Sequence, residues 1–169
     1  VLTPSTDLYF PQVMKEYYGW NSYLAVQNTA SSSASVTVQY YNSAGTLVAT
    51  DTQTISPYST YIFRQSENAT LPNGFVGSAK ATGTQELAGI CNFYNSESSY
   101  TEAQFHSYNA FAGGQTKLNV PRVVKDYYNY QSGLTVQNVG TAATTVTVTY
   151  YFGGTAYTQT SPSIGPNAA

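Results

Sequence analysis

The sequence predicts an all-β protein, folded as an antiparallel β-sandwich, and three observations carry that prediction. Residues 33–41 and 144–152 alternate apolar and polar side chains with a period of two, which places their valines on one face of a sheet. Turn-forming Gly, Pro, Asn and Ser residues recur between such segments at the spacing of short strands. No segment has the periodicity of an amphipathic helix.

The individual elements follow in chain order. Strands of alternating pattern are predicted at 22–28, 33–41, 59–65, 74–83 and 85–95 and, near the end of the chain, at 132–138 and 144–152. Turn signals such as Pro72-Asn73-Gly74 and Thr82-Gly83 separate them. The apolar positions of the repeated strands form the predicted core: Leu24, Val26, Val36, Val38, Leu134, Val136, Val146 and Val148.

The strongest signal in the chain is an internal repeat. Residues 10–42 align without a gap with residues 120–152, and 15 of those 33 positions are identical. The duplication divides the chain into three segments, which we name A (1–57), B (58–110) and A′ (111–169). We therefore predict one β-sandwich repeat at 1–110, made of A and B, and a partial second repeat at 111–169 that is homologous to 1–57.

The repeat period is the size of an immunoglobulin-like sandwich, and A plus B contains about seven predicted strands. A′ contains only about four strands, and so small a sheet with one apolar face is not stable alone in water. Either A′ packs onto A and B within one larger sandwich, or another chain completes it.

The repeated pattern resembles a known class of protein. The motifs P-x-V-x-K-[DE]-Y-Y, L-x-V-Q-N, V-T-V-x-Y-Y and G-F-V-G-S-A together look like the tandem immunoglobulin-like β-sandwich repeats of large bacterial cell-surface proteins. The resemblance implies an extracellular stalk, an adhesive surface or a fibre building block. This chain departs from such long repeat strings in having one and a half copies, which favours assembly through non-covalent contacts over a long-stalk role.

Composition narrows the location and the partners. Charged residues make up only 8% of the chain, and its polar surface relies on hydroxyl and amide groups, as is usual for secreted or cell-surface β proteins. Six Lys and Arg residues provide no basic stripe for phosphates, so nucleic acid is not an expected partner. No apolar run is long enough for a transmembrane segment. We expect a mature, secreted, extracellular or cell-surface protein.

No arrangement of residues indicates catalysis. His106, the only histidine, has no nucleophile elbow or recognisable partner near it in the sequence. One His and one Cys do not make a zinc site, and no acidic calcium-binding loop occurs. We predict a protein that is not an enzyme, with no catalytic residue, no metal and no cofactor.

The sequence contains candidate residues for two covalent modifications, a glycan and an isopeptide bond. The sequon at Asn68 lies before a loop-like stretch and is a candidate glycosylation site. Lys15 and Lys125 occupy the same repeat position and are candidates for an isopeptide bond, with Asn92 or Asn95 as partner. The alternative for both lysines is an exposed charge whose stem covers apolar surface.

Repeated aromatic residues are the candidate binding surface. They precede the first repeated strand of each copy, at Tyr17, Tyr18, Trp20 and Tyr23 and at Tyr127, Tyr128 and Tyr130. Tyrosine suits a subunit contact, because it has an apolar body and a polar tip, and interface cores are rich in Tyr and Trp. Flat aromatic rings also stack on sugars. We prefer the subunit contact and keep glycan binding as the alternative.

These features predict a non-enzymatic extracellular structural protein, a subunit of a cell-surface fibre or layer that self-associates head-to-tail as a homopolymer. The alternative is a carbohydrate-binding or adhesive module of a larger surface protein. Because a half repeat leaves an open sheet edge, strand exchange is the predicted mode of assembly. The predicted donor is the arm at residues 1–9, with Leu2 and Leu8 as its apolar anchors.

Overall fold

The computed structural model describes residues 3–95 and 104–169, and this part of the chain is almost entirely β-structure. The strands are β1 Ser5–Lys15, β2 Trp20–Asn28, β3 Ala34–Asn42, β4 Leu47–Ile55, β5 Thr60–Arg64, β6 Phe75–Asn95, β7 Phe105–Asn109, β8 Thr147–Phe152 and β9 Thr155–Thr160. A single 3-10 turn, Gln65–Glu67, follows β5, and the described residues contain no α-helix. The predicted all-β, antiparallel class is confirmed.

Strand β6 organises the fold. Its first half pairs with β1 on one side and β3 on the other, and its second half pairs with β2 and β7. Strand β4 extends the first layer beyond β3, and β5 extends the second layer beyond β2. Two antiparallel layers therefore share β6 and enclose the core. A backbone bridge between Tyr9 and Phe111 joins β1 to the chain that follows β7.

The long β6 corrects one sequence expectation. Residues 74–83 and 85–95 were expected to be separate strands with a turn at Thr82-Gly83, but one strand runs from Phe75 to Asn95. Gly83 keeps an extended backbone inside it. A Cβ at this position would lie 2.8 Å from Leu87 Cδ1, and the pairing of β6 with β1 shifts register between Thr82 and Leu87. The glycine therefore lies in an irregular stretch of a continuous strand. The sequence predicts a turn at this glycine, and the structure instead continues the strand through it.

The core lies between the two layers of A plus B. It is built from alternate residues of the strands, among them Leu8, Phe10, Val13, Leu24, Val26, Val36, Val38, Tyr40, Leu87, Cys91 and Phe93. Each fully buried large aliphatic side chain contributes about 1.5–3 kcal/mol relative to exposure. The four core positions expected in A, which are Leu24, Val26, Val36 and Val38, are all fully buried.

Regular structure is sparse in A′. Strands β8 and β9 form a hairpin that turns at Gly153 and Gly154, both with positive φ, and this hairpin is a separate two-stranded sheet. The strand expected at 132–138 is not formed. Its counterpart β2 pairs with β5 and β6, and A′ has no equivalent of either strand to pair with.

The end of A′ lies against the A-plus-B sandwich. Ser78 Oγ donates a hydrogen bond to the carbonyl oxygen of Asn167 at 2.5 Å. A Cβ at Gly45, which has a φ of +81°, would lie 2.4 Å from the carbonyl oxygen of Pro166. This close approach places the final residues of A′ beside the β3–β4 turn.

Candidate functional site: the open face of A′

A and A′ form the same tight turn, which in A joins β1 to β2 and in A′ lies at the equivalent residues. Tyr17 and Trp20 exchange backbone hydrogen bonds in A, and Tyr127 and Tyr130 exchange them in A′. The aromatic pair inside each turn is edge-to-face, with ring centroids 4.8 Å apart in A and 4.7 Å apart in A′. The repeated sequence therefore specifies this turn locally, without help from the rest of the fold.

A buried asparagine anchors each copy in the same way. Asn28 Nδ2 donates to the carbonyl oxygens of Ser32 and Ile55, at 2.7 and 3.1 Å. Asn138 Nδ2 donates to those of Ala142 and Ile164, at 2.8 and 3.0 Å. Each asparagine thereby holds the start of its loop against the end of its hairpin.

The hairpins also match in detail. The hydroxyls of Thr37 and Thr52 lie 3.4 Å apart across β3 and β4, and those of Thr147 and Thr160 lie 3.3 Å apart across β8 and β9. In both copies the hairpin is antiparallel and keeps the valines on one face. A′ is thus built like A as far as its own residues allow.

The copies differ in what covers their apolar face. Val13 and Leu24 are 0% exposed in A, whereas Val123 and Leu134 are 37% and 39% exposed in A′. The A′ residues Val136, Val146 and Val148 are only half-buried. In A this face is closed by strands of B, above all by β6, and A′ has no such strand over it. The core expected in A′ is therefore not formed.

The uncovered face borders a large open cavity. Its volume is about 1340 Å³, and its walls include Leu134, Val136, Val146, Val148 and Tyr150 of A′. Pro11, Gln12, Ser43, Val76 and Gly77 of A and B form the opposite rim. The volume exceeds the roughly 300–1,000 Å³ that is typical of small-molecule sites.

A network of buried polar side chains joins A to B inside the core. Gln65 donates from Nε2 to Tyr40 Oη at 3.0 Å and accepts from Ser22 Oγ at 2.8 Å. Tyr40 Oη in turn donates to Asp51 Oδ2 at 3.1 Å. Burial is the main reason that the pKa of Tyr40 is raised far above its ordinary value. The network ties A to the residue that follows β5 of B.

A′ retains the A half of this network. Ser132 Oγ accepts from the Val124 N–H at 3.0 Å, as Ser22 Oγ accepts from the Met14 N–H at 2.9 Å. Tyr150 Oη donates to Gln159 Oε1 at 3.4 Å. Gln159 faces Val148 across the hairpin, as Asp51 faces Val38 in A. No described residue of A′ has the place of Gln65, since that residue belongs to B.

Gln137 adds a second sign of incompleteness. Its side-chain nitrogen and oxygen are buried without a hydrogen-bond partner among the described residues. At the same position of A, Gln27 Nε2 donates to the carbonyl oxygen of Tyr58 at 3.4 Å. A buried amide without partners costs about 1–3 kcal/mol, and such groups mark places where a partner is missing.

The predicted aromatic surface is divided by the structure. Tyr17, Tyr18, Tyr127, Tyr128 and Tyr130 are exposed at the tips of the two repeated turns. Trp20 and Tyr23 are instead partly covered on β2: Trp20 packs edge-to-face on His106, and the Arg64 guanidinium lies 5.6 Å from the Tyr23 ring. Exposed tyrosines are therefore present at the turn of each copy.

The predicted donor arm does not hang free. Leu8 lies in β1, is 1% exposed and faces Ala81 of β6 in the core of its own chain. Pairing of β1 with β6 begins at Ser5. Leu2 lies outside the described residues. The expectation of a donor arm is therefore wrong for residues 5–9, because removing them from β6 would open the A-plus-B core.

The structure also removes the basis for glycosylation at Asn68. Asn68 is buried, and its Nδ2, the atom that would carry the glycan, donates to Asp51 Oδ2 at 2.8 Å. Its Oδ1 accepts from the backbone of Thr70 and Leu71, at 2.9 and 3.0 Å. The sequon closes a structural turn, and a glycan would have to break that turn.

The lysines of the proposed isopeptide bond lie in different surroundings. Lys15 is buried, and its Nζ donates to the carbonyl oxygens of Asn68 and Leu71, at 2.7 and 3.0 Å. Lys125 is exposed. Asn95 Nδ2 donates to the Tyr18 carbonyl oxygen at 3.3 Å, and Asn92 is buried on β6. The Lys15 ammonium is thus held by two carbonyl groups of B, which explains its position without a covalent bond.

The groups with potential reactivity lie around β6. Cys91 is fully buried, and burial raises the pKa of its thiol to about 12. The His106 ring stacks on Phe93 at 4.5 Å, and partial burial lowers the pKa of its imidazole. Within residues 3–95 and 104–169, no group of three or more His, Cys, Asp or Glu side chains is placed to hold a metal ion. A buried thiol of raised pKa is a poor nucleophile.

Sequence reasoning missed Gln65, which is fully buried and joins the two layers. Nothing in its local sequence distinguishes it from a surface glutamine. The repetition of Ser22 and Tyr40 at Ser132 and Tyr150 was visible, but it could not show that both hydroxyls point to one amide.

Comparisons with known proteins identify the fold alone. No protein-family model matches the chain, and no curated protein sequence matches it. The crystal structure of Thermotoga maritima 1070 is similar with a TM-score of 0.55 at 12% identity, over 65% of this chain and 96% of that one. The Anabaena sensory rhodopsin transducer is similar with a TM-score of 0.45 at 15% identity, over 53% of this chain and 96% of that one.

The first similarity bears on the architecture. Almost the whole Thermotoga maritima structure is matched by a portion of this chain about as long as A plus B. Among residues 3–95 and 104–169, the structure has no helix that is both long and apolar enough to cross a membrane.

Proposed function

We propose that the chain is a non-enzymatic, extracellular structural protein, a building block of a surface fibre or layer that joins to its neighbour end-on through A′. The observation that carries the proposal is the difference between equivalent apolar residues in the two copies. Residues such as Leu24 are fully buried in A, and their A′ counterparts line an open cavity. Isolated apolar side chains on a surface are ordinary, but a large continuous apolar face marks an interaction surface.

The division of labour within the chain supports this function. A plus B has a closed core and needs no partner to bury it. A′ keeps the hairpin, the anchoring asparagine and the repeated turn, yet its face is open. A contact between one face and a different segment of a neighbour is heterologous, so it extends into a fibre or layer.

A second candidate function is carbohydrate binding or adhesion, and the exposed tyrosines favour it. Tyr18 and Tyr128 are 74% and 80% exposed at equivalent turns. Each contacts its neighbour edge-to-face, so no flat pair of rings is presented to a sugar. This candidate ranks second for that reason.

The test compares two substitutions on opposite faces of β8. Val148 faces the cavity, and its neighbour Thr147 is exposed. In the organism that makes the protein, Val148→Asp should prevent incorporation into ordered surface structures seen by electron microscopy with an antibody label. Thr147→Asp should incorporate normally. Both variants should retain the thermal unfolding of A plus B, followed through Trp20 fluorescence.

The proposal fails if the native protein is found only as dispersed single chains. It also fails if both variants are incorporated equally well.

A further inference from the structure

We propose that the open face of A′ is an acceptor for an extended strand of the β6 type, supplied by a polypeptide segment outside this chain's own A and B. The inference rests on the proposed function and names the partner of its site. The segment has a small or apolar side chain at every second position, and it closes A′ as β6 closes A.

The internal repeat itself shows what the face accepts. In A, strand β3 pairs edge-to-edge with β6, so that Val38 and Tyr40 lie beside the buried residues Ala81 and Ala79, and Gly77 lies beside Asn42. A Cβ at Gly77 would lie only 2.0 Å from the carbonyl oxygen of Tyr41, so β6 must pass very close to β3. A glycine is therefore required at this point of β6, and the next two buried positions, Ala79 and Ala81, also have small side chains. The repeat implies the same requirement for a strand that lies against β8.

The main chain of β8 is ready for such a strand. In A, β3 pairs with β4 at one edge and with β6 at the other. Its counterpart β8 pairs with β9 alone among the described residues, so its second edge has free N–H and C=O groups. An exposed edge next to an uncovered apolar face binds an added strand through main-chain hydrogen bonds, and alternate side chains provide specificity.

The polar groups of A′ indicate that the occupant is a B-type segment rather than any apolar strand. Ser132 and Tyr150 hold the positions from which Ser22 and Tyr40 contact Gln65. Gln65 lies in B, between β5 and β6. A donor that includes a glutamine before its strand would complete this network as well as the apolar core.

The segments of this chain cannot supply the occupant. Residues 1–169 contain one B segment and two A-type segments, so chains that exchange these B segments leave one A-type segment open in each chain. The N-terminal residues from Ser5 are also committed, because β1 pairs with β6 and buries Leu8. A second A′ presents the same half-sandwich and has no counterpart of β6 to offer. No described segment of residues 1–169 is therefore free to be the donor, so the strand that joins a neighbouring subunit to A′ lies outside this range.

The experiment adds β6 in trans to the whole chain. The probe is a synthetic peptide of residues 75–95 with Cys91→Ala, a lysine solubility tag and an N-terminal fluorophore, and binding is followed by fluorescence anisotropy. We expect saturable one-to-one binding. Val148→Asp in the chain should weaken it at least about ten-fold, because the charge would be buried without a partner. Thr147→Asp should leave it unchanged.

Two variant peptides test the facing of the strand. Ala79 and Ala81 are fully buried in β6, and Thr82 and Thr84 are exposed. A peptide with Ala79→Asp and Ala81→Asp should lose binding, and one of equal charge with Thr82→Asp and Thr84→Asp should retain it. Hydrogen exchange should show new protection at residues 146–152 and no change at residues 36–42.

Several outcomes would overturn the proposal. Two are binding results: equal binding to the Val148→Asp and Thr147→Asp chains, or no binding to a monomeric chain. Two are hydrogen-exchange results. One is a loss of protection at residues 36–42, which would mean that the peptide displaces the chain's own β6, and the other is a chain that forms a dimer alone with residues 146–152 already protected. If the native protein forms ordered assemblies but the peptide does not bind, the proposed function stands and the β6-type strand is ruled out. Peptide binding without any native assembly would do the reverse.

Discussion

Leu24 in A and Leu134 in A′ occupy the same position of the repeat, yet the first is fully buried and the second is 39% exposed. Their local surroundings are nearly identical in sequence, and the turn and the anchoring asparagine near them form the same hydrogen bonds. The difference lies in residues far away along the chain, because A is covered by β6 and A′ is not. Local sequence specifies the turns of this fold, and a long-range strand specifies its core.

This difference explains why regular strands are found in A and not throughout A′. Strand β2 pairs with both β5 and β6, whereas residues 132–138 lack both neighbours. A single extended segment cannot satisfy its own backbone groups, so it becomes a strand only beside another. The β8–β9 hairpin survives alone because its two strands are adjacent in sequence and satisfy each other.

The largest expected effect separates the two leucines. Leu24→Ala should lower the free energy of unfolding by about 2–5 kcal/mol, since it leaves a cavity in a closed core. Leu134→Ala should change it by less than about 1 kcal/mol, since that side chain is already partly solvated. Urea unfolding followed through Trp20 fluorescence measures both. Equal losses for the two variants would show that A′ has a closed core in solution.

The same contrast between A and A′ decides which parts of the fold the sequence predicts correctly. Period-two alternation predicted the strands around Leu24 and Val36 correctly, because their neighbours are present. The same alternation around Leu134 predicted a strand and a core that are not formed, because alternation reports which face is apolar and not whether anything covers it. The sequence predicts a turn at Gly83, because sequence alone does not distinguish a glycine in a turn from one inside a continuous strand.

For the candidate site, the sequence predicts only that A′ has an uncovered apolar face. The half repeat indicated an open face, and the structure has one between A′ and the rim of A and B. The sequence predicts the donor at residues 1–9, because an N-terminal arm without glycine is suited to pair with another chain. The pairing of β1 with β6 is long-range, so the sequence does not reveal it. The sequence likewise presents Asn68 as a candidate glycosylation site, although its amide closes a buried turn.

An intermediate effect is expected from the titration of the A-plus-B core. Cys91 has a pKa of about 12 in the folded chain, against 9.0 as its ordinary value, because burial disfavours the thiolate. Below pH 9 the thiol is protonated in both states, and its full contribution to stability is present. Between pH 9 and pH 12 only the unfolded state loses the proton, so stability falls by up to about 1.4 kcal/mol per pH unit.

The measurement compares urea unfolding of the parent and Cys91→Ala at pH 8, 10 and 11. The slope with pH is compared rather than the absolute stability, because the substitution also removes buried volume. The variant should show a shallower decline. Buried Tyr40 and Tyr108, whose pKa values burial also raises, should keep a residual decline in both proteins. Parallel slopes would mean that Cys91 is not buried in the folded state.

The smallest expected effect is also the one in which the two copies should agree. Asn28→Ser and Asn138→Ser keep a side-chain oxygen for the N–H groups of Ala30 and Gly140 but lose the amide that donates to Ile55 and Ile164. Each variant should lose about 1–2 kcal/mol of local stability. Native-state hydrogen exchange measures this loss at residues 28–34 in A and at residues 138–144 in A′.

Agreement is expected here because the side-chain amide of each asparagine donates only within its own copy, to Ile55 in A and to Ile164 in A′, and neither bond involves β6. A loss confined to Asn28→Ser would show that A′ does not form its anchored turn in solution. The local identity of the copies would then fail, and A′ would be an unfolded segment rather than a half-sandwich ready for a strand. Equal losses would place the whole difference between the copies in the strand that covers one and not the other.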